Sequence, residues 1–274
     1  MHQWLTGDLQ VEHLNLSVDH FPAAWDSLRM VQLTDFHYDG LRLSDWLLTE
    51  AIAVTNAAKP DLILLTGDFV THDPSPIYSL VQQLSKLNSR LGTYAILGNH
   101  DYYYPESAAI VTEALNSVGI QVLINQVVYP DDKKLALIGL ADLFSGEFNP
   151  GSVLDTVDVN IPRIVLSHNP DTAEFLQPWR VDLQLSGHTH GGQVLFSGLG
   201  TLPELLYKAQ NQLPKPLKFL IPLKSDCKKI FRHWEWSAGL HQINSNRLYT
   251  NRGLGTYLPG RWNCPPEVTI IDVQ

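Results

Sequence analysis

The sequence predicts an α/β protein of layered sheets, on three observations. Short apolar runs of strand length alternate with longer amphipathic stretches. Strands outnumber helices, and the helices fall between the early strands, which favours a parallel sheet with some antiparallel pairing later in the chain. The chain has 274 residues with no internal repeat and no low-complexity tract, so it reads as one domain, 1–274, with a core of ordinary size.

The elements follow in order. Residues 9–18 alternate apolar and polar as a strand does, and 29–34 form a second short run ending at Asp35. Residues 44–58 read as a helix: Ser44 can cap it, Trp46, Leu47, Ala51, Val54 and Ala58 recur at helical spacing, and Pro60 stops it. Leu62-Ile63-Leu64-Leu65 has the length and flanks of a buried strand. A helix over 76–91, a strand over 93–97 and a helix over 105–118 closed by Gly119 come next. Further strands are expected at 120–128, 134–140, 163–166, 182–185, 246–250 and 268–273.

Composition excludes several classes of function. Net charge is −9, and an acidic chain repels a phosphate backbone, so general nucleic-acid binding is not expected. Bound cations can invert that field locally, so phosphate substrates stay open. Cys227 and Cys264 are too few for a disulfide scaffold and read as unpaired thiols. No apolar run is long enough to span a bilayer, and residues 1–8 lack the features of a signal peptide, which points to a cytoplasmic protein. No obligate protein partner is evident.

Five short motifs fall at the ends of apolar runs: Asp35-Phe36-His37, Gly67-Asp68, Gly98-Asn99-His100-Asp101, Ser167-His168 and Gly187-His188-Thr189-His190. They hold five of the 11 histidines. Residues two apart on extended chain share a face, so Asp35 can project with His37 and His188 with His190. Glycine before Asp68, Asn99 and His188 allows tight turns and close backbone approach. Imidazole and carboxylate together bind first-row divalent metals, and a shared carboxylate can hold two ions. Several buried imidazoles and carboxylates without cations would suffer a desolvation cost that nothing repays.

This ordered set resembles the calcineurin-like metallophosphoesterases. The resemblance runs from about Leu28 onward, apart from 198–236. Residues 60–68, 167–171, 187–193, 251–255 and 263–267 are similar to the bacterial YkuE- and YaeI-like phosphodiesterase branch. It implies two packed mixed β-sheets flanked by helices, a four-layer sandwich. It also implies two metal ions, divalent or mixed-valence, with manganese, iron or zinc fitting the ligands. Asp35, His37 and His190 would hold one ion, Asn99, His168 and His188 the other, and Asp68 would bridge them. Hydroxide activated by both ions would cleave a phosphodiester or pyrophosphate bond. Asn99 would also face substrate, and His100 would protonate the leaving oxygen. A phosphomonoesterase is the alternative reading, and a non-catalytic scaffold a third.

The acidic partner usual for the catalytic histidine would fall at Thr71, which argues against protein serine/threonine phosphatase activity. Asp73 or Asp101 is then expected to orient His100, and Asp101 is assigned to the catalytic group. Arg252, in Asn251-Arg252-Gly253, could contact phosphate bidentately. Tyr102-Tyr103-Tyr104 reads as packing with one ring exposed. The stretch 202–236 carries Lys208, Lys215, Lys218, Lys224, Lys228, Lys229 and Arg232 among aromatic residues, and reads as an insertion or cap. It could cover a pocket or lie against an anionic membrane, which would suit a lipid-linked phosphate substrate as well as a small one.

Overall fold

The computed structural model describes residues 5–18, 21, 27–130, 135–214 and 231–274. Lys215, Lys218, Lys224, Cys227, Lys228 and Lys229 lie outside these residues, so most of the basic character of 202–236 does too.

The chain runs β1 (Gln10–Leu16), β2 (Leu28–Leu33), α1 (Asp45–Ala57), β3 (Leu62–Leu65), α2 (Ile77–Leu84), β4 (Thr93–Ala95), α3 (Ser107–Ser117), β5 (Ile120–Val122), β6 (Gln126–Val128) and β7 (Ala136–Gly139). It continues through α4 (Gly151–Leu154), β8 (Arg163–Leu166), α5 (Thr172–Phe175), β9 (Leu183–Ser186), β10 (Leu195–Phe196), β11 (Gly200–Thr201), α6 (Leu202–Gln212), β12 (Gly239–Ile243), β13 (Asn246–Thr250) and β14 (Glu267–Val273). Two six-stranded sheets result, β1-β14-β2-β3-β4-β5 and β12-β13-β9-β8-β7-β6, with a small β10–β11 hairpin. Both large sheets are mixed. Strands β2 to β5 run parallel, as do β7, β8, β9 and β13, while β14–β2, β6–β7 and β12–β13 are antiparallel.

Strand alternation builds the layers. Met30, Leu62, Leu64, Ile271 and Val273 point from the first sheet onto Leu137, Ile164, Leu166, Leu183 and Leu185 of the second. The alternate residues Val31, Leu33, Ile63 and Leu65 meet Leu47, Leu48 and Ala51 of α1, Leu80 and Leu84 of α2, and Val111 and Leu115 of α3. Ala136, Ile138 and Val165 pack outward on Val153, Leu154 and Leu176. Strands buried on both faces explain the unbroken apolar runs in the sequence. The architecture is the four-layer α/β sandwich that the resemblance implied. No helix among the described residues is long and apolar enough to cross a membrane.

Ser44 caps α1, its hydroxyl accepting from the Leu47 N–H at 3.3 Å. The helix expected over 76–91 stops at Leu84. Beyond it the Asn56 side chain donates to the Lys86 carbonyl and accepts from the Asn88 N–H, capturing backbone groups that a longer helix would need. The single strand expected over 120–128 is two strands, one in each sheet. Asn125 between them takes a left-handed φ of 47° and ties down the crossing by accepting from Ala141 and donating to the Glu147 carbonyl. Strand β12 and helix α6 had no counterpart in the expected elements. Helix α6 opens with a capping box between Thr201 and Glu204, placing a helix inside 198–236.

Candidate metal centre

Parallel strands of both sheets end at one edge, and the five motifs lie there in the loops that follow β2, β3, β4, β8 and β9. Ligand atoms of Asp35, His37 and His190 lie within 4.8 Å of one another, and so do those of Asp68, His168 and His188. Asp68 stands between the two groups, with Oδ2 3.4 Å from His37 Nε2 and 3.2 Å from His168 Nε2. Asp35, His37, Asp68 and His168 are essentially inaccessible to solvent.

The way these side chains converge differs from the expected extended geometry. Asp35, His37, Asp68, His188 and His190 all have positive φ, between 42° and 71°. Residues 35 and 37 are held by backbone bonds to the carbonyls of Gly67 and Asp68, each 3.0 Å long. Tight left-handed turns, rather than strand alternation, aim the pairs inward. Side chains other than glycine adopt such angles at a cost of order 1 kcal/mol each, a strain typical of functional sites.

The glycines serve close approach. A Cβ on Gly98 would lie 2.2 Å from Asp68 Oδ1, and one on Gly187 would lie 2.2 Å from Asp35 Oδ2. Asp35 is fully buried and accepts from the His188 N–H at 2.9 Å, so it has nowhere to retreat. Gly187→Ala is therefore expected to displace Asp35 and lower both metal affinity and turnover by about 10–100-fold. Metal titration of the purified variant checks this, and a variant with unchanged affinity would refute the close-contact argument.

The donor set fits cations. The ring nitrogen His168 Nδ1 donates to the Thr66 carbonyl at 2.7 Å and His190 Nδ1 to the Gly255 carbonyl at 3.1 Å, since a carbonyl can only accept. In its neutral form each ring then turns a lone pair inward on Nε2. His37 Nε2 and His190 Nε2 face each other at 3.1 Å, and His188 Nδ1 and His168 Nε2 at 3.3 Å. Facing lone pairs repel unless a proton or a cation lies between them. Asn99 Oδ1 is buried with no hydrogen-bond partner among the described residues, which suits a ligand oxygen. Without cations the charges of the site are unbalanced, and a proton on His168 answers Asp68 in their place. Burial pushes the Asp35 carboxyl up to about 6. Burial also lowers His190, to about 3. For His168 burial works downward, but the charge and hydrogen bond of Asp68 outweigh it and raise the ring to about 10.

Two predicted residues are placed elsewhere. Asp101 is fully buried and accepts four backbone N–H bonds, from Asp68 and Gly98 at Oδ2 and from Phe69 and Val70 at Oδ1. It clamps the loops after β3 and β4, and its carboxylate is committed to them. Arg252 pairs with Glu12 at 2.7 Å and with Glu267 at 2.8 Å, so its guanidinium ties β1 and β14 to the 252 loop. Of the tyrosines, Tyr102 packs against the helix-side core, while both Tyr103 and Tyr104 are about half exposed.

Neither Asp73 nor Asp101 orients His100. Its Nδ1 donates to the Thr71 backbone carbonyl at 2.6 Å. The Thr71 hydroxyl donates in turn to Asp39 Oδ2 at 2.9 Å, and Asp39 pairs with Arg42. Burial raises the Asp39 carboxyl, but the N–H groups of Arg42 and Leu41, the Thr71 hydroxyl and the Arg42 charge together hold it below its usual range. A carboxylate thus stands behind Thr71, delivered from the loop after β2. Sequence reasoning also passed over Tyr257, whose hydroxyl lies 3.1 Å from His37 Nδ1. It passed over Arg261, a guanidinium that donates to the carbonyls of Arg252, Gly253 and Gly255 and so fixes the acceptor for His190. Both follow the Asn251–Gly255 stretch closely, and no local spacing marks them.

Residues 28–192 match the calcineurin-like phosphoesterase family, a span holding all seven ligand-type side chains. The chain belongs to the calcineurin-like phosphoesterase family. It is 35% identical over 252 residues to "Phosphodiesterase YaeI" of Escherichia coli (strain K12), covering 89% of this chain and 82% of that protein. It is 30% identical over 263 residues to "Uncharacterized metallophosphoesterase YkuE" of Bacillus subtilis (strain 168), covering 92% and 81% respectively. It is also 28% identical over 293 residues to "UDP-2,3-diacylglucosamine pyrophosphatase LpxG" of Chlamydia muridarum (strain MoPn / Nigg), covering 89% and 83%. The chain is thus a hydrolase of phosphate esters in the YaeI- and YkuE-like branch, from a family that uses binuclear metal centres. In this phosphoesterase the group of Asp35, His37 and His190 and the group of Asp68, His168 and His188 are the candidate pair of sites, with Asp68 also grouped with His37 and His100.

Proposed function

We propose that this phosphoesterase hydrolyses phosphodiester or pyrophosphate bonds, including those of lipid-linked substrates, at a centre of two metal ions. The observation that carries the reading is the pair of ligand groups meeting at Asp68 with His100 beside them, its ring 4.8 Å from that of His37. Asp35, His37 and His190 would hold one ion, Asn99, His168 and His188 the other, and Asp68 both. Manganese, iron and zinc suit this mixture of nitrogen and oxygen donors. When bound, the ions supply Lewis acidity toward phosphoryl oxygens and lower the pKa of water. The chain's own part is orientation and proton transfer. The Thr71 carbonyl fixes Nδ1–H on His100, so the proton that moves is the one on Nε2. His100 delivers it to the leaving oxygen. Relatives named a phosphodiesterase and a nucleotide-lipid pyrophosphatase support the bond type and the lipid-linked class. We place the protein at the cytoplasmic side, with 202–236 as a cap able to rest on a membrane surface.

Metal-stripped protein is expected to regain hydrolysis of bis(p-nitrophenyl) phosphate with Mn²⁺, Fe²⁺, Zn²⁺ or Mg²⁺, and to prefer it over p-nitrophenyl phosphate. His100→Ala should lower that rate by about 10²–10⁴-fold. Faster cleavage of the monoester would make the protein a phosphomonoesterase. Two tightly bound ions with no turnover on either ester would point to a scaffold, or to an enzyme whose cap rejects small substrates.

A further inference from the structure

The loops at residues 40–42 and 256–258 face each other across a cleft of about 590 Å³. Its inner end is Tyr257. The ring of Tyr257 lies 5.0 Å from that of His37 and 5.3 Å from that of His190, and the Arg42 guanidinium covers it at 4.4 Å. Its outer end is apolar. Leu41 and Leu258 stand on the rim, 76% and 83% exposed, and Leu5 lines the floor. At Leu5 the cleft adjoins a second hollow of about 480 Å³ that carries Trp262 and Phe196, also exposed.

Exposed large apolar side chains gathered on one patch mark a binding surface rather than ordinary scatter. Here the patch shares a wall with the candidate metal centre, and that settles what enters. A phosphate held by the ligand groups has one ester arm leaving as the product alcohol and a second arm that stays. Tyr257 borders the ligands on one side and the leucine-lined cleft on the other, so an arm passing over it leaves a charged bowl for an aliphatic wall. Of the polar side chains that line the cleft, Arg42 pairs with Asp39 and Thr256 accepts from Arg261, so a polar or charged arm gains little at the Leu41 and Leu258 rim.

We propose that this cleft binds the aliphatic chain of an alkylated or acylated phosphoester substrate, and that Leu41 and Leu258 set the preference for it. The inference rests on the phosphoesterase reading above and adds the subsite that recognises the lipid portion. A flat bilayer resting on the same leucines is the competing occupant.

The test is a series of p-nitrophenyl alkyl phosphates, methyl to octyl, kept below their micelle-forming concentrations and given to the metal-reconstituted protein of 274 residues. The leaving group is p-nitrophenolate throughout, so only the retained arm changes. Full burial of a methylene corresponds to about a fourfold gain, and an open cleft gives roughly half that in free energy, about twofold. Over the seven added methylenes the octyl-to-methyl ratio of kcat/KM is therefore expected to be about 100. In the double variant Leu41→Ser/Leu258→Ser it should collapse to within about threefold of unity. The ratio is taken within each protein, so a general loss in the variant cancels, and both side chains are exposed enough that folding is not at stake. A flat series at measurable rates overturns the cleft while leaving the phosphoesterase reading intact. An unchanged ratio in the double variant, with lost binding to phosphatidylglycerol vesicles, also overturns it and makes the leucines a membrane contact. Cleavage of no ester in the series overturns the phosphoesterase reading and this inference together.

Discussion

Asp68→Asn is expected to reduce bound metal from two ions to one or fewer and to slow hydrolysis by about 10³-fold or more, the scale of losing a principal stabiliser of developing charge. Asparagine is the informative replacement. Residue 68 has φ 56°, an angle asparagine tolerates better than alanine does. Its amide oxygen can still accept from the His100 N–H, which now bonds Asp68 Oδ1 at 2.9 Å. The backbone and His100 thus stay in place, and the change isolates the negative charge shared between the His37 and His168 sides. Elemental analysis beside steady-state rates decides the matter. Two ions retained at wild-type rate would remove Asp68 from the bridging position, whatever else the centre does.

The second large effect is on stability. Asp101→Ala leaves four backbone N–H groups, of Asp68, Phe69, Val70 and Gly98, without their acceptor in a place water does not reach. Each unsatisfied buried donor costs about 1–3 kcal/mol. Partial relaxation of the loops makes about 4 kcal/mol a reasonable net loss, or a fall in Tm of roughly 10 °C for a chain of this size. Activity should fall with it, because the same loops carry Asp68, Asn99 and His100. Calorimetry separates this role from proton transfer. A variant with unaltered Tm and normal metal content, but turnover as poor as that of His100→Ala, would restore Asp101 to the chemistry and refute its assignment as a clamp.

Much of the architecture was legible because burial on both faces leaves a plain mark. Leu62-Ile63-Leu64-Leu65 could only be an interior strand, and Ser44 with Pro60 framed α1 nearly to the residue. Errors arose where a distant side chain overrode local preference. Asn56, one helix away, ends α2 early, and Asn125 breaks an apolar run so that its halves join different sheets. That the motifs gather at one site was legible, since few other reasons exist to place so many histidines and carboxylates after strands. Their geometry was not, because left-handed angles at Asp35, His37 and His190 follow from glycine-flanked turns and cross-loop bonds that a linear pattern does not display. Residues acting through backbone atoms were the least visible. Thr71 serves His100 by its carbonyl, an atom every residue has, and the carboxylate behind it comes from Asp39, 32 positions away.

The position of β14 bears on how the protein is made. This strand, at residues 267–273, lies between β1 and β2, pairing in parallel with one and antiparallel with the other. Strands β2 to β5 can associate as soon as they leave the ribosome, since each is joined to the next through local α/β units. Strand β1 is made first yet has no partner in the sheet until β14 arrives, more than 250 residues later. Glu267 in β14 also receives Arg252, whose loop supplies the Gly255 carbonyl that orients His190. A nascent chain therefore carries Asp35, His37 and Asp68 well before the last support of His190 exists. Completion of the ligand geometry is a late event, coupled to closure of the sheet.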